Sequence, residues 1–235
     1  MLTLYAPSGG WSLPSVSPFC IKLETWLRMA GLGYSRESAG PDGAPKGKVP
    51  YIRLPDGTLM GDSQLIIDHL TETHGLQVGG MISTEQAATG HAIRRMLEEG
   101  TYWCVAHDRW IRQSGWVAYR PVFGALIPAA ARWAAMPWLR RSLRKQLRTQ
   151  GTGRHDEDTI ARLACADLDA VAGVMGPRDY LLGPQPVAVD ASVYAMLVSV
   201  LDFPVDTPAR LHLLKQPTLT AYIERMRARY WSDAP

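Results

Sequence analysis

Three short stretches of the chain combine residue types that do chemistry. The first is Ser17-Pro18-Phe19-Cys20. Serine followed by proline marks a helix start, with the proline at the first helical position. A helix N-terminus offers unpaired N–H groups and the positive end of the helix dipole, and both favour a thiolate or another anion. A hydroxyl there can donate to a thiolate, and Cys20, three residues on, shares its face. The layout is that of a Cys-Pro-aromatic-Cys redox site with serine replacing the first cysteine. Locally, it is also an ordinary serine cap ahead of a buried cysteine. The second stretch is Gly47-Lys48-Val49-Pro50-Tyr51. A proline opening an apolar strand cannot donate to the ladder. A cis Val49-Pro50 bond would turn the Val49 backbone outward, free to pair with a peptide-like ligand as an added strand. Lys48 would then meet a ligand carboxylate; otherwise it is a solvated surface lysine. The third is Gly61-Asp62-Ser63-Gln64. Asp62 or Ser63 caps a helix, and the same N–H groups with the Ser63 hydroxyl make a cradle for a carboxylate.

The elements that must hold these stretches fall into two unlike parts. Residues 2–6 form a short apolar strand, and residues 17–30 a helix closed by Gly31. Residues 34–38 are a further strand. Residues 49–54 and 59–60 flank the turn Pro55-Asp56-Gly57-Thr58, and a helix follows through Leu70. From residue 83 the pattern is helical. Ile93, Met96, Leu97, Trp103, Cys104, Trp110 and Ile111 recur at steps of three and four. So do Ile160, Leu163, Ala164, Leu168, Val171, Val174 and Met175, up to Gly176-Pro177. Residues 191–201 are apolar all round, as in a helix buried inside a bundle. Glycines between residues 75 and 81 mark the join. The expected architecture is an α/β domain over residues 1–77 followed by an all-α domain over residues 83–235.

Composition narrows the function classes. With 46% hydrophobic and 20% charged residues in a chain of 235, a sizeable core is affordable and disorder is excluded. A net charge of +3 gives no case for nucleic acid. Cys20, Cys104 and Cys165 are too widely spaced for a disulfide framework or a zinc site, so a reduced, cytoplasmic protein is expected. The N-terminus has no basic, apolar leader pattern. The cleanest apolar stretch, residues 191–201, is about half the ~20 residues a membrane span needs. The charge is segregated, however. Residues 109–155 hold ten Lys or Arg and no Asp or Glu, interleaved with Trp110, Trp116, Trp133 and Trp138, which leaves the rest of the chain at −7. This is either a solvated basic face or a surface for an anionic partner such as lipid.

The order and spacing of these features resemble the glutathione S-transferase family over nearly the whole chain. SPFCIKLETWLRMAGLGY, PKGKVPYI, GDSQLIIDHL, QGTGRH and DYLLGPQPVAVDASVYAML are similar to the metaxin-like branch that includes the failed-axon-connections proteins. The resemblance implies a thioredoxin-like N-terminal domain and an all-α second domain. It implies that the Ser17 hydroxyl activates the sulfur of glutathione, the co-substrate, and that Val49, ahead of a cis Pro50, pairs with the tripeptide backbone. Lys48 would reach the glycyl carboxylate, Ser63 the γ-glutamyl carboxylate and Asp62 its ammonium. The loop PSGGWSLPSV puts Ser8, Ser12 and Ser15 in competition with Ser17, and Tyr5 is a further rival. The family's cap in the last domain falls at Val187 with Asp190 three positions on, which leaves half a capping box.

The expected activity is conjugation of glutathione to a small electrophile, by a homodimer. Two alternatives stand beside it: a non-catalytic module for a protein or membrane partner, and a thiol reductase using Cys20. Tyr102, Trp103, His107 and Trp110 either line the second-substrate pocket or pack a core. Arg154 and His155 either reach the cleft or begin a helix with Asp156.

Overall fold

The computed structural model describes residues 1–232. Its first unit is a four-stranded sheet in the order β2-β1-β3-β4, built from β1 (Leu2–Ala6), β2 (Tyr34–Ser38), β3 (Tyr51–Arg53) and β4 (Leu59–Gly61). β1 and β2 run parallel, joined by helix α1 (Pro18–Met29), and β3 is antiparallel to both β1 and β4. A parallel pair needs such a crossover, because no tight turn can return the chain to the same end of the sheet.

α1 is buried along nearly its whole length. Cys20, Leu23, Trp26 and Leu27 pack with Leu4, Ala6 and Ile52 of the sheet and with Ile66, Ile67 and Leu70 of α2 (Ser63–His74). Ile21, turned away from the sheet, joins the core of the helical part instead. One helix thus serves two cores. Truncating the fully buried Trp26 to Ala would cost about 3–5 kcal/mol. α2 starts on Asp62 and stops at Gly75, whose φ of 60° is the left-handed cap that glycine supplies without strain.

The remaining helices are α3 (Thr84–Met96), α4 (Tyr102–Trp110), α5 (Gln113–Gly124), α6 (Ala129–Gln150), α7 (Glu157–Met175), α8 (Asp190–Leu201), α9 (Pro208–Leu214) and α10 (Pro217–Tyr230). Each has a local cause. Ser83 and Gln86 form a reciprocal capping box for α3, and Asp156 caps α7 by accepting from the Thr159 N–H. Asp156 therefore begins that helix, while Arg154 closes back onto the Arg148 carbonyl. α8, with no polar stripe, is enclosed by the others and packs on α1. The half-box expected at Val187 does work: the Asp190 carboxylate accepts from the N–H groups of Val187 (2.8 Å) and Leu181 (3.0 Å).

Two features depart from the periodic reading. The helical run through Leu97 loosens into a π turn over Leu97–Thr101, which turns Glu98 and Thr101 inward. The loop before α1 is not an open excursion. Trp11 sits edge-on to Phe203 at 5.4 Å, Leu13 joins the helical core, and the Arg109 guanidinium donates to the Val16 carbonyl at 2.8 Å. A Cβ on Gly9 would lie 1.7 Å from the Leu13 carbonyl oxygen, so only glycine permits that fold of the loop.

Candidate active site

Strand register brings the three sequence stretches to one end of the sheet. Tyr5, near the end of β1, pairs with Tyr51 at the start of β3, and Tyr51 pairs with Gly61 at the end of β4. The loop leading to Ser17, the Val49-Pro50 turn and the Asp62-Ser63 helix start therefore all adjoin the same end of the sheet. The Lys22 ammonium of α1 donates to the Gln64 side-chain oxygen of α2 at 2.8 Å, so the first turns of the two helices lie side by side.

Ser17 stands at the N-cap of α1, and its hydroxyl makes no capping bond; the carbonyl instead accepts from the Cys20 and Ile21 N–H groups at 3.1 Å. Its N–H donates to the Ser15 hydroxyl at 3.3 Å. Cys20 is fully buried, and burial pushes its thiol up to about 12, although the Ser17 and Ser15 hydroxyls pull the other way. A thiol at that value carries no thiolate near neutrality, so Cys20 is packing rather than a nucleophile.

The rivals to Ser17 sort by position. Leu4 and Ala6 of β1 face α1, so Tyr5, between them, faces the other side of the sheet. There it stacks on Tyr51 at 4.6 Å under the Arg53 guanidinium, its hydroxyl buried without a partner. Ser8 is tied to Ser38 at 3.0 Å, Ser12 is exposed, and Ser15 is buried beneath the Ser17 N–H.

The Val49-Pro50 bond is cis, as the resemblance implied. Val49 is half-buried, Pro50 buried and Lys48 exposed. Val49 lies ahead of the first β3–β4 rung at Tyr51. Asp62 has φ 84°, a left-handed value uncommon outside glycine. Its Oδ1 accepts from the N–H groups of Gln64 (3.0 Å) and Leu65 (3.3 Å), which leaves Oδ2 open. Backbone strain of this kind concentrates at ligand clamps. Ser63 is buried at the first helical position, beside the N-terminal amides of α2.

Beneath Ser63 lies a charged network absent from the sequence reading. Lys22 meets Glu98 at 2.6 Å; Glu98 also accepts from Ser192 of α8 at 2.9 Å and from Arg94 at 3.2 Å. Burial pushes the Lys22 ammonium down, against the pull of Glu98. No periodicity signals such a lysine, because a single Lys on an amphipathic helix reads as solvent-facing. Toward the helical part, Phe19 packs on Tyr102 at 4.9 Å, and Tyr102 on Trp103 at 5.2 Å. His107 is buried with Nδ1 making no hydrogen bond among the described residues and lying 3.9 Å from Asp108 Oδ1, while Trp110 belongs to an aromatic cluster with Trp116, Tyr119 and Phe123. A cavity of about 10 Å³ among Arg109, Ser199, Cys104 and Leu168 has room for one water and no organic substrate. Among the described residues no cluster of side chains could hold a metal ion.

Sheet, cis-proline turn and paired helix starts define a transferase-type thioredoxin fold, and the comparisons agree. Residues 18–115 match the glutathione S-transferase N-terminal domain model and residues 164–226 the glutathione S-transferase C-terminal domain model. The chain is 30% identical over 237 residues to isoprene-epoxide–glutathione S-transferase of Rhodococcus sp. (strain AD45), covering 98% of this chain and 99% of that protein. It is 25% identical over 248 residues to Failed axon connections of Drosophila melanogaster and 25% over 245 to human metaxin-1. It spans 99% of itself in both matches but only 59% and 52% of those longer proteins. A Sulfitobacter glutathione transferase homologue, solved with bound glutathione, superposes with a TM-score of 0.59 at 18% identity, covering 99% of this chain and 96% of that one. The chain belongs to the glutathione S-transferase family, and its relatives include members of the metaxin-like branch.

Proposed function

We propose that the protein is a glutathione S-transferase that joins the thiolate of glutathione to a small electrophile. What carries the reading is the meeting, at one end of the sheet, of a Ser17 hydroxyl that makes no capping bond at its helix start, the Val49-Pro50 turn and the Ser63 helix start. Ser17 donates to the glutathione sulfur and favours its thiolate. Val49 pairs with the cysteinyl backbone, and Lys48 meets the glycyl carboxylate. Ser63 and the first amides of α2 hold the γ-glutamyl carboxylate, and the open Oδ2 of Asp62 meets its ammonium. Phe19, Tyr102 and Trp103 form an apolar wall for the second substrate. The Rhodococcus relative is named for an epoxide, which makes epoxides the first class to assay. The sulfur attacks a ring carbon, a C–S bond forms as the C–O bond breaks, and the alkoxide takes a proton from water.

The test separates activation from anchoring. Ser17→Ala removes one hydrogen bond to a charged sulfur, about 1.5–3 kcal/mol or one to two decades in turnover, with glutathione affinity unchanged. Ser63→Ala weakens glutathione binding in calorimetry more than it slows the chemical step. Full activity in Ser17→Ala refutes the assigned role. The protein is proposed to act as a cytoplasmic homodimer. Its three cysteines are unpaired, and Leu59 on the edge strand and Leu65 on α2 are exposed. A monomer by light scattering at micromolar concentration contradicts the pairing.

The similarity to Failed axon connections and metaxin-1 favours a second reading, a non-catalytic binding module. A glutathione titration without heat, together with no turnover, decides for it. The buried, high-pKa Cys20 weighs against a thiol reductase.

A further inference from the structure

The two family models stop at residue 115 and resume at residue 164, so most of α5 and all of α6 lie between them. α6 is 22 residues long, yet only Met136 and Leu147 are buried. Its outer side carries the two most exposed tryptophans of the described residues, Trp133 (81%) and Trp138 (66%). One or two turns further on, Arg141, Arg144, Lys145 and Arg148 follow at spacings of three, four and seven, which is one helix face. Arg154 joins them from the next turn, and together they line an open hollow of about 770 Å³.

Of these five cations Arg154 is tied inward, its guanidinium donating to the Arg148 carbonyl. Arg140 shows what a structural arginine does here: it donates to the Trp110 and Ile111 carbonyls and lies over the Trp116 ring at 4.7 Å. Arg141, Arg144, Lys145 and Arg148 have no carboxylate partner among the described residues. Like charges four apart, as in Arg141/Lys145 and Arg144/Arg148, destabilise a helix. The helix dipole accounts for a cation in the last turn, and only Arg148 stands there.

We propose that the α5–α6 hairpin is a docking surface for an anionic lipid bilayer. α6 lies in the interface plane with Trp133 and Trp138 at headgroup depth and the basic half over lipid phosphates and carboxylates. Charge complementarity selects this occupant. A second copy related by a two-fold axis would set cations against cations. Nucleic acid matches the charge, but it has no use for the aliphatic Val117 (61% exposed) and Leu126 (37%) on the same hairpin. No helix among the described residues is long and apolar enough to cross a membrane, so the contact is with the surface.

The test is vesicle co-sedimentation of the purified protein, with thermal melting to confirm that each variant folds. Binding is expected to phosphatidylcholine vesicles carrying about 30 mol% phosphatidylserine, and not to phosphatidylcholine alone. It should fade as salt rises and the screening length falls below about 10 Å. Each of Arg141→Gln, Arg144→Gln, Lys145→Gln and Arg148→Gln is expected to weaken it about fivefold, and the four together several hundredfold. Quenching of tryptophan fluorescence by brominated lipid should be lost in Trp133→Phe/Trp138→Phe. Equal binding to neutral vesicles, absence of binding, or binding that all these variants retain overturns the proposal. So does binding of a single-stranded oligonucleotide or of free inorganic phosphate alone. None of these readouts needs glutathione, so the outcome is independent of the transferase reading.

Discussion

The ion pair between Lys22 and Glu98 joins the two halves of the molecule, and breaking it tests how the site is held. The side chains are 1% and 7% exposed and meet at 2.6 Å. Glu98 has further donors in Ser192 and Arg94, whereas among the described residues Lys22 has only Glu98 and the neutral Gln64 oxygen as acceptors. The consequences of removing each partner are therefore unequal. Glu98→Gln keeps the shape but leaves the Lys22 ammonium buried without a counter-charge, a loss of about 3–5 kcal/mol. Lys22→Met leaves a carboxylate still served by Arg94 and Ser192, and should cost about 1–3 kcal/mol. The double variant removes both charges and should be no worse than Glu98→Gln alone, because the stranded ammonium is gone.

Urea unfolding at unchanged m-value reads these differences. At about 2–4 °C per kcal/mol, Glu98→Gln should melt roughly 6–20 °C below wild type. The pH dependence supplies a second readout. Burial lowers the Lys22 pKa in the fold, so the folded state sheds that proton before the unfolded state does. Stability then rises with pH between the folded value and the unfolded value of about 10.4. Without Glu98 the folded value drops further, so the deficit of Glu98→Gln should narrow as the pH climbs from neutral. Costs that simply add in the double variant, or a deficit that stays constant with pH, would refute the pairing as the source of the energy.

Three other outcomes follow from the same structure. Cys20, buried and pushed up to about 12, should resist iodoacetamide in the folded protein, and Cys20→Ala should keep glutathione turnover; rapid alkylation would show the thiol to be open. Asp190 is raised to about 6 because burial outweighs its two amide bonds. Its protonated form favours the fold, so the stability of wild type relative to Asp190→Asn should fall as the pH rises from about 4 to about 6, by up to about 3 kcal/mol. A flat difference across that window would assign the carboxyl an ordinary pKa. Arg109→Lys keeps the charge but cannot reach both the Val16 and Ser199 carbonyls, each 2.8 Å from the guanidinium. Limited proteolysis should then cut within residues 7–16, where the wild type resists.

What the sequence could and could not reveal follows from how local each cause is. The Ser17-Pro18 start of α1, the Asp156 cap of α7 and the all-apolar α8 are written in adjacent residues, and each stands where the pattern puts it. The meeting of Ser17, Val49 and Ser63 at one end of the sheet is set by strand register, which the family resemblance supplied and periodicity did not. The π turn escaped because Leu97 and Glu98 keep an apolar-polar rhythm that an α-helix would also show. The inward turn of Lys22 depends on Glu98, 76 positions away, and the burial of Arg109 on carbonyls of Val16 and Ser199, which no local rule connects. These long-range polar contacts have a common location. Arg109 anchors the residue before Ser17, and Lys22 holds the residue after Ser63. The helical part thus fixes both ends of the candidate glutathione site through buried cations. A transferase needs its sulfur-activating and carboxylate-binding groups held in one geometry, and coupling both to the second unit achieves that without adding a residue to the site itself.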